Sequence, residues 1–226
     1  MGCGHAVASR LRPETRLDEA ARRMLDTIHD CIIGQNTEDA SWRFALDVVA
    51  RNMLPINTKS TCGATLLYTA CQTGNVDVIR ELLRLHADPN IDNGCQLPMH
   101  ALMRCDIKPA QRAEVCALLP AKHLAVRNHF FHETPLQLFL THALCTDLEF
   151  LAWCCTQPQC DLIVLDRFGR TPLDIMRLRK AWCQGVWRYC QGEWQHWIEI
   201  VEDAVAARKR WTAPRAAWCA ACVLVL

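Results

Sequence analysis

Thr65-Leu66-Leu67-Tyr68-Thr69-Ala70-Cys71-Gln72-Thr73-Gly74-Asn75-Val76-Asp77-Val78-Ile79-Arg80-Glu81-Leu82-Leu83 encodes two short helices and the turn between them. Leu66, Leu67 and Ala70 fall on one side of the first helix, with the small Ala70 and Cys71 where a neighbouring helix must approach closely. Gly74 ends that helix, because only glycine takes the left-handed backbone of a tight turn without steric cost. Val78, Ile79, Leu82 and Leu83 then recur at helical spacing and predict a second helix from about Val76 to Leu85. One such pair cannot bury both of its faces alone; it needs neighbours.

The chain supplies them. Related starts recur at Leu97-Pro98-Met99-His100, Thr134-Pro135-Leu136-Gln137 and Thr171-Pro172-Leu173-Asp174, at register steps of 32, 37 and 37 residues. A Thr before a Pro offers a hydroxyl to the first unpaired amides of a helix, and Pro at the first helical position loses no hydrogen bond. Thr134-Pro135 and Thr171-Pro172 are therefore helix entries. From helix start to the second-helix aliphatic is 14 residues for Thr65 to Ile79, 18 for Leu97 to Val115 and 17 for Thr134 to Leu151. The extra residues fall near Cys105 to Pro109 and Cys145 to Asp147, predicting longer connections between paired helices without the turn glycine.

Together these residues resemble the ankyrin repeat. Thr61 to Asn90 matches over nearly its whole length, with Gly63, Thr65, Leu67, Ala70, Gly74, Leu82, Leu83, Ala87 and Asn90 in register. Asp92, Pro98, Met99 and His100 mark a second start in which Leu97 replaces Thr. His129, His132, Thr134, Pro135 and Leu136 mark a third, with His132 where the family prefers Gly, and Asp166, Gly169, Thr171, Pro172 and Leu173 a fourth. The resemblance implies an all-α fold: an ankyrin-type α-solenoid of about four to five helix-turn-helix repeats, with short β-hairpin or loop fingers and a helical cap at each end.

The flanks fit caps. Leu17 to Ile33 carries Leu17, Ala21, Met24, Leu25, Ile28 and Ile32 along one helical face, and Asp39 to Met53 carries Trp42, Leu46, Val49 and Met53. Trp182, Val186, Cys190, Trp194, Trp197, Val201 and Val205 recur every three or four positions, a run that Gly185 and Gly192 could divide. Terminal units must shield a solenoid's core with a different outer face. The expected organisation is an N-terminal helical cap or degenerate repeat with a flexible start (1–57), ankyrin repeats (58–180), a capping helix (181–213) and an apolar, Cys-containing tail (214–226).

Composition narrows the function. The chain has 226 residues, 25 basic and 24 acidic, so a net charge of +1 gives no electrostatic footprint for broad nucleic-acid binding. Its 15 cysteines, odd in number and irregularly spaced, with no signal-peptide pattern before Arg16, read as reduced, buried thiols of a cytosolic or nuclear protein. The longest apolar run, Ala216 to Leu226, is about half a membrane helix. Met1-Gly2-Cys3 resembles an acylation start, but Ala6 replaces the usual Ser or Thr, leaving at most a weak lipid anchor at Gly2 and Cys3.

Chemical motifs are few. Cys219-Ala-Ala-Cys222 has redox-pair spacing but lacks the strand that a thioredoxin-like site requires, so a thiol-disulfide enzyme is a remote alternative. His129 and His132 are held roughly 15 Å from His142 and Cys145 by the intervening helix, too far to share one zinc ion. Neither catalysis, a metal nor a cofactor is expected. What the resemblance implies is a protein-binding adaptor, scaffold or inhibitor working through a concave surface; an alternative makes the C-terminal helix a recruiter of other machinery, such as a ubiquitin ligase. The hairpin-tip positions Asn93, Gln96, Phe130, Phe131, Glu133, Arg167, Phe168 and Arg170 are the candidate contacts, because aromatic and Arg side chains dominate interface energies. The other reading of Phe130 and Phe131 folds them back over their own loop.

Overall fold

Thr65 opens its helix by the chemistry its position demands: the hydroxyl accepts a hydrogen bond from the Tyr68 N–H at 3.2 Å. Gly74 closes it with φ 73°, and Asn75 caps the next helix by accepting from the Val78 N–H. The computed structural model describes residues 13–34, 38–105, 107–142, 148–186 and 194–209, and among these every regular element is helical. They are α1 (Pro13–Gly34), α2 (Glu38–Ala50), α3 (Leu66–Thr73), α4 (Val76–Arg84), α5 (Pro98–Leu102), α6 (Pro109–Leu118), a 3₁₀ turn (Ala121–Ala125), α7 (Pro135–His142), α8 (Leu148–Thr156), α9 (Pro172–Val186) and α10 (194–209).

Thr134 and Thr171 form reciprocal caps, as a Thr followed three residues later by Gln or Asp permits. The Gln137 N–H donates to the Thr134 hydroxyl while Thr134 N–H donates back to Gln137 Oε1; Asp174 and Thr171 repeat the exchange. Leu97 has no side chain to do this, and α5 is only five residues long. The helices pack in two rows. α3 contacts α5, α5 contacts α7 and α7 contacts α9 in one row; α4 contacts α6 and α6 contacts α8 in the other, and α1 contacts both α2 and α3. Leu67, Ile79, Leu82, Met99, Val115, Leu136, Phe139 and Leu151 lie fully buried between the rows, the seam that the repeated apolar spacing predicts.

At the leading end, Leu25, Ile28, Ile32, Trp42 and Val49 are buried as expected, but Met53 is 58% exposed. The helix has already ended: Asn52 takes φ 55° and the Met53 N–H reaches back to the Val48 carbonyl, a left-handed closure that turns Met53 into solvent. His29, itself buried, shares a 2.8 Å hydrogen bond with the Thr69 hydroxyl and so ties α1 to α3. Residues 1–12, including Gly2 and Cys3, and residues 210–226, including Cys219 and Cys222, lie outside the described residues.

At the other end, α9 runs across position 180, where the sequence reading set a domain boundary, and Gly185 lies within it. Trp194, Trp197 and Val201 of α10 are buried as their spacing requires, and the Trp197 ring stacks on Phe139 of α7 at 6.1 Å. Arg208, near the C-terminal end of α10, acts as a clamp. Its guanidinium donates to the carbonyls of Cys155 (3.0 Å), Gln157 (2.7 Å) and Cys160, at and just beyond the C-terminus of α8. A helix end leaves carbonyls unpaired, and a planar five-donor cation satisfies several at once.

The same device replaces the missing turn glycine after α5. Arg112 of α6 is buried, and it donates to the carbonyls of Leu102 at 2.6 Å and Cys105 at 3.0 Å. Its guanidinium lies 5.3 Å and 5.9 Å from the ring centroids of Phe139 and Phe150. The longer connection expected near Cys105 to Pro109 lies between α5 and α6 and is held from within by this side chain. The second expected insertion, Cys145 to Asp147, lies outside the described residues.

Buried histidine gives the fold an acid-sensitive element. His100 of α5 is wholly buried and its Nε2 donates to the Val126 carbonyl at 3.1 Å. Burial lowers its pKa from 6.5 to about 4, opposed by the neighbouring backbone of Val126 and Glu133 and assisted by His123. A base with a depressed folded-state pKa leaves stability intact above its unfolded value and removes it as pH falls from about 6.5 toward 4, since only the unfolded chain takes up the proton. His29 and His123, also lowered by burial, act in the same direction; Glu133, raised by burial, opposes them. Acidification from pH 7 to 5 should cost about 2 kcal/mol through His100. Melting temperatures of His100→Gln should slope less with pH than those of the native chain; an identical slope would assign the acid sensitivity elsewhere.

Candidate functional site

Four turns of similar form precede α3, α5, α7 and α9. Each is closed by one backbone hydrogen bond: Ser60 N–H to Ala64 O, Asn93 N–H to Gln96 O, Asn128 N–H to Glu133 O and Asp166 N–H to Arg170 O. Each is also closed by the first residue's side chain, whose oxygen accepts from backbone amides across the turn. Ser60 takes Ala64, Asn93 takes Cys95 and Gln96, Asn128 takes Phe131 and Glu133, and Asp166 takes Phe168 and Arg170. Short oxygen-bearing side chains favour such turns because they offer the backbone a local partner. The turns are fingers without strands among the described residues.

Successive fingers touch. The His129 N–H donates to the Cys95 carbonyl at 3.0 Å, and the Arg167 N–H to the Phe131 carbonyl at 2.8 Å. A Cβ on Gly63 would meet the Asn93 carbonyl oxygen at 2.6 Å, so the first two fingers approach more closely than any side chain permits. His132 takes φ 55° at the position where glycine was expected, two before the Thr134 cap.

The residue immediately before three of the four helix entries points inward. Ala64, Gln96 and Glu133 are buried, which makes Gln96 and Glu133 part of the floor rather than of the rim expected from sequence. Gln96 Oε1 accepts from the Tyr68 hydroxyl, and Glu133 Oε1 from Thr141. Burial pushes the Glu133 carboxyl above its ordinary pKa, with Asn128, Thr141 and Arg170 opposing. Arg170, at the same position in the last finger, pairs with Asp166 at 2.7 Å and lies 4.7 Å over the Phe168 ring. Asn93 is half-buried and serves its own turn.

What remains at the tips is apolar and exposed. Phe130 is 54%, Phe131 46% and Phe168 62% exposed, so neither Phe130 nor Phe131 folds away beneath its loop. Phe131 and Phe168 stack across two fingers, ring centroids 5.9 Å apart, with Arg167 exposed beside them. Below them a hollow of about 350 Å³ is bordered by Arg104, Leu138, Thr141 and His142. It meets a second hollow against Tyr68 and Gln72 through Gln96 and Arg104, and a third against Ile175, Leu178 and Arg179 through Thr141 and Arg170. A groove thus runs beside the inner row from α3 to α9. His142 in its wall has a lowered pKa, from burial first and then from the positive charges of Arg104 and Arg179.

None of the described cysteines borders these hollows. Cys71, Cys105, Cys116, Cys154 and Cys160 are buried, and burial raises Cys71 and Cys154 well above the ordinary thiol pKa. Cys31 and Cys62 are exposed, contrary to the expectation that all fifteen are core residues. No described helix is long and apolar enough to cross a membrane.

Residues 62–94 match the ankyrin repeat family model, a span from the first finger through α3 and α4 to the second. The chain therefore carries an ankyrin repeat over the stretch whose two helices and left-handed turn were legible in its residues. No curated protein matches the chain. The ankyrin repeat is a protein-interaction module, and the exposed aromatic tips stand on the side of the fold where its fingers project.

Proposed function

We propose that the chain is an ankyrin solenoid that acts as an adaptor, scaffold or inhibitor, holding a protein partner in the groove between the fingers and the inner row of helices. The observation that carries this reading is the stacked pair Phe131 and Phe168, two large apolar rings left in water at neighbouring finger tips above a concave, continuous hollow. Exposed aromatic anchors beside a pocket are the usual centres of binding energy. Burial keeps the Cys71 and Cys154 thiols protonated and therefore poor nucleophiles, which supports binding over thiol chemistry in the core. α10 buries Trp194 and Trp197, the latter stacked on Phe139 of α7, which supports a capping helix over a recruiting one.

The test is selection of a displayed random-peptide library on the purified chain, repeated with Phe131→Ala/Phe168→Ala. The double variant should lose the selected peptides by at least about tenfold in affinity while its helical circular dichroism is unchanged. Equal affinity would move the binding face away from the fingers.

A further inference from the structure

We infer that the groove is built for an acidic peptide segment with an apolar anchor; this rests on the groove being the binding face. Among the described residues, the exposed charges bordering it are positive. Arg104 is exposed and has no ion-pair partner among the described residues, and its positive charge is felt by both Tyr68 and His142, on either side of it. Arg167 is exposed on the last finger, next to Phe168; its guanidinium makes one 3.4 Å hydrogen bond, to the Phe130 carbonyl, and no ion pair among the described residues. The acids nearby are consumed internally. Asp166 holds its finger and pairs with Arg170, and Glu133 is a buried part of the floor, bonded to Thr141, with its pKa raised.

An occupant therefore meets Arg104 in the wall and the exposed Phe131 and Phe168 rings, with Arg167 exposed next to Phe168; the one carboxylate among the described wall residues, Glu133, is buried. Complementarity of this kind fixes the sign of a partner and speeds its arrival. Aromatic rings with arginines also suit single-stranded nucleic acid. The peptide is favoured because that mode needs a basic track along a backbone, whereas the preference for acid rests on Arg104 and Arg167 alone and the whole chain carries +1.

The test uses fluorescein-labelled peptides of about 12 residues, enough extended chain for roughly 40 Å. One carries Glu at alternate positions around a central Phe-Leu pair; its twin has Lys for every Glu; an oligo-dT of equal length is the third probe. Fluorescence anisotropy should show the acidic twin binding the full chain at least about tenfold more tightly than the basic one, with the gap narrowing at high salt. Arg104→Glu/Arg167→Glu should abolish or reverse that order with circular dichroism unchanged. Equal or absent binding of the twins, or tighter binding of oligo-dT, overturns the inference. Twins that bind equally but are both lost in Phe131→Ala/Phe168→Ala overturn the preference for acid and leave the groove as the binding face; twins indifferent to that double variant overturn both.

Discussion

Leu82→Asp should abolish cooperative unfolding of the ankyrin unit at residues 62–94. Leu82 is fully buried on α4, within the apolar core between the two rows of helices. An ionised side chain there must leave water without a partner or be held protonated, and either costs more than about 4 kcal/mol. Against a total stability of about 5–15 kcal/mol, that is enough to unfold the unit and loosen its neighbours. Thermal circular dichroism is the measurement, with Leu82→Met as the volume-conserving control expected within about 1.5 kcal/mol of the native chain. A melting curve for Leu82→Asp that overlays the native one would show that this side chain is not in the seam.

Arg112→Met should be nearly as damaging, for a different reason. The thioether fills a similar volume, but the carbonyls of Leu102 and Cys105 lose a charged donor inside the fold. Each bond to a charged group is worth about 1.5–3 kcal/mol. A loss of about 3 kcal/mol is expected, which in a chain of this size lowers the melting temperature by about 6–12 °C. Arg112→Lys should not restore it, because a single ammonium cannot fork to two carbonyls and lie against Phe139 and Phe150 as well. Full stability in the lysine variant would mean that charge alone suffices, and a neutral methionine variant would mean that the α5–α6 connection is held by other contacts.

These two side chains mark what the sequence discloses and what it withholds. Leu82 is legible because its burial follows from local periodicity, and so are Gly74, Thr134-Pro135 and Thr171-Pro172, whose roles are settled within a few residues of themselves. Arg112 and Arg208 look like solvated helix positions because their partners lie 10 and 7 residues away for Arg112, and 48 to 53 for Arg208, and are backbone carbonyls without a residue signature. The finger-closing residues Ser60 and Asn128 were missed because finger length varies, which shifts them against the Thr caps from which the repeat was aligned. Among the candidate contacts, the aromatic tips and Arg167 stand exposed. Gln96 and Glu133 do not, since the position preceding their helix entries turns inward, a fact of backbone direction that no side-chain type announces. Asn52 gave a usable signal: asparagine tolerates the left-handed turn that leaves Met53 outside.

The clamp formed by Arg208 has a consequence for how the polypeptide is made. Until that arginine has been synthesised, the carbonyls of Cys155, Gln157 and Cys160 have no guanidinium to meet, and the Phe139 ring lacks its Trp197 lid. A nascent chain thus carries an unfinished third helix pair until α10 emerges. A nonsense codon, or a recombinant fragment cut at the last recognisable Thr-Pro-Leu, would leave that pair open and sticky, a client for chaperones and proteases rather than a smaller working copy.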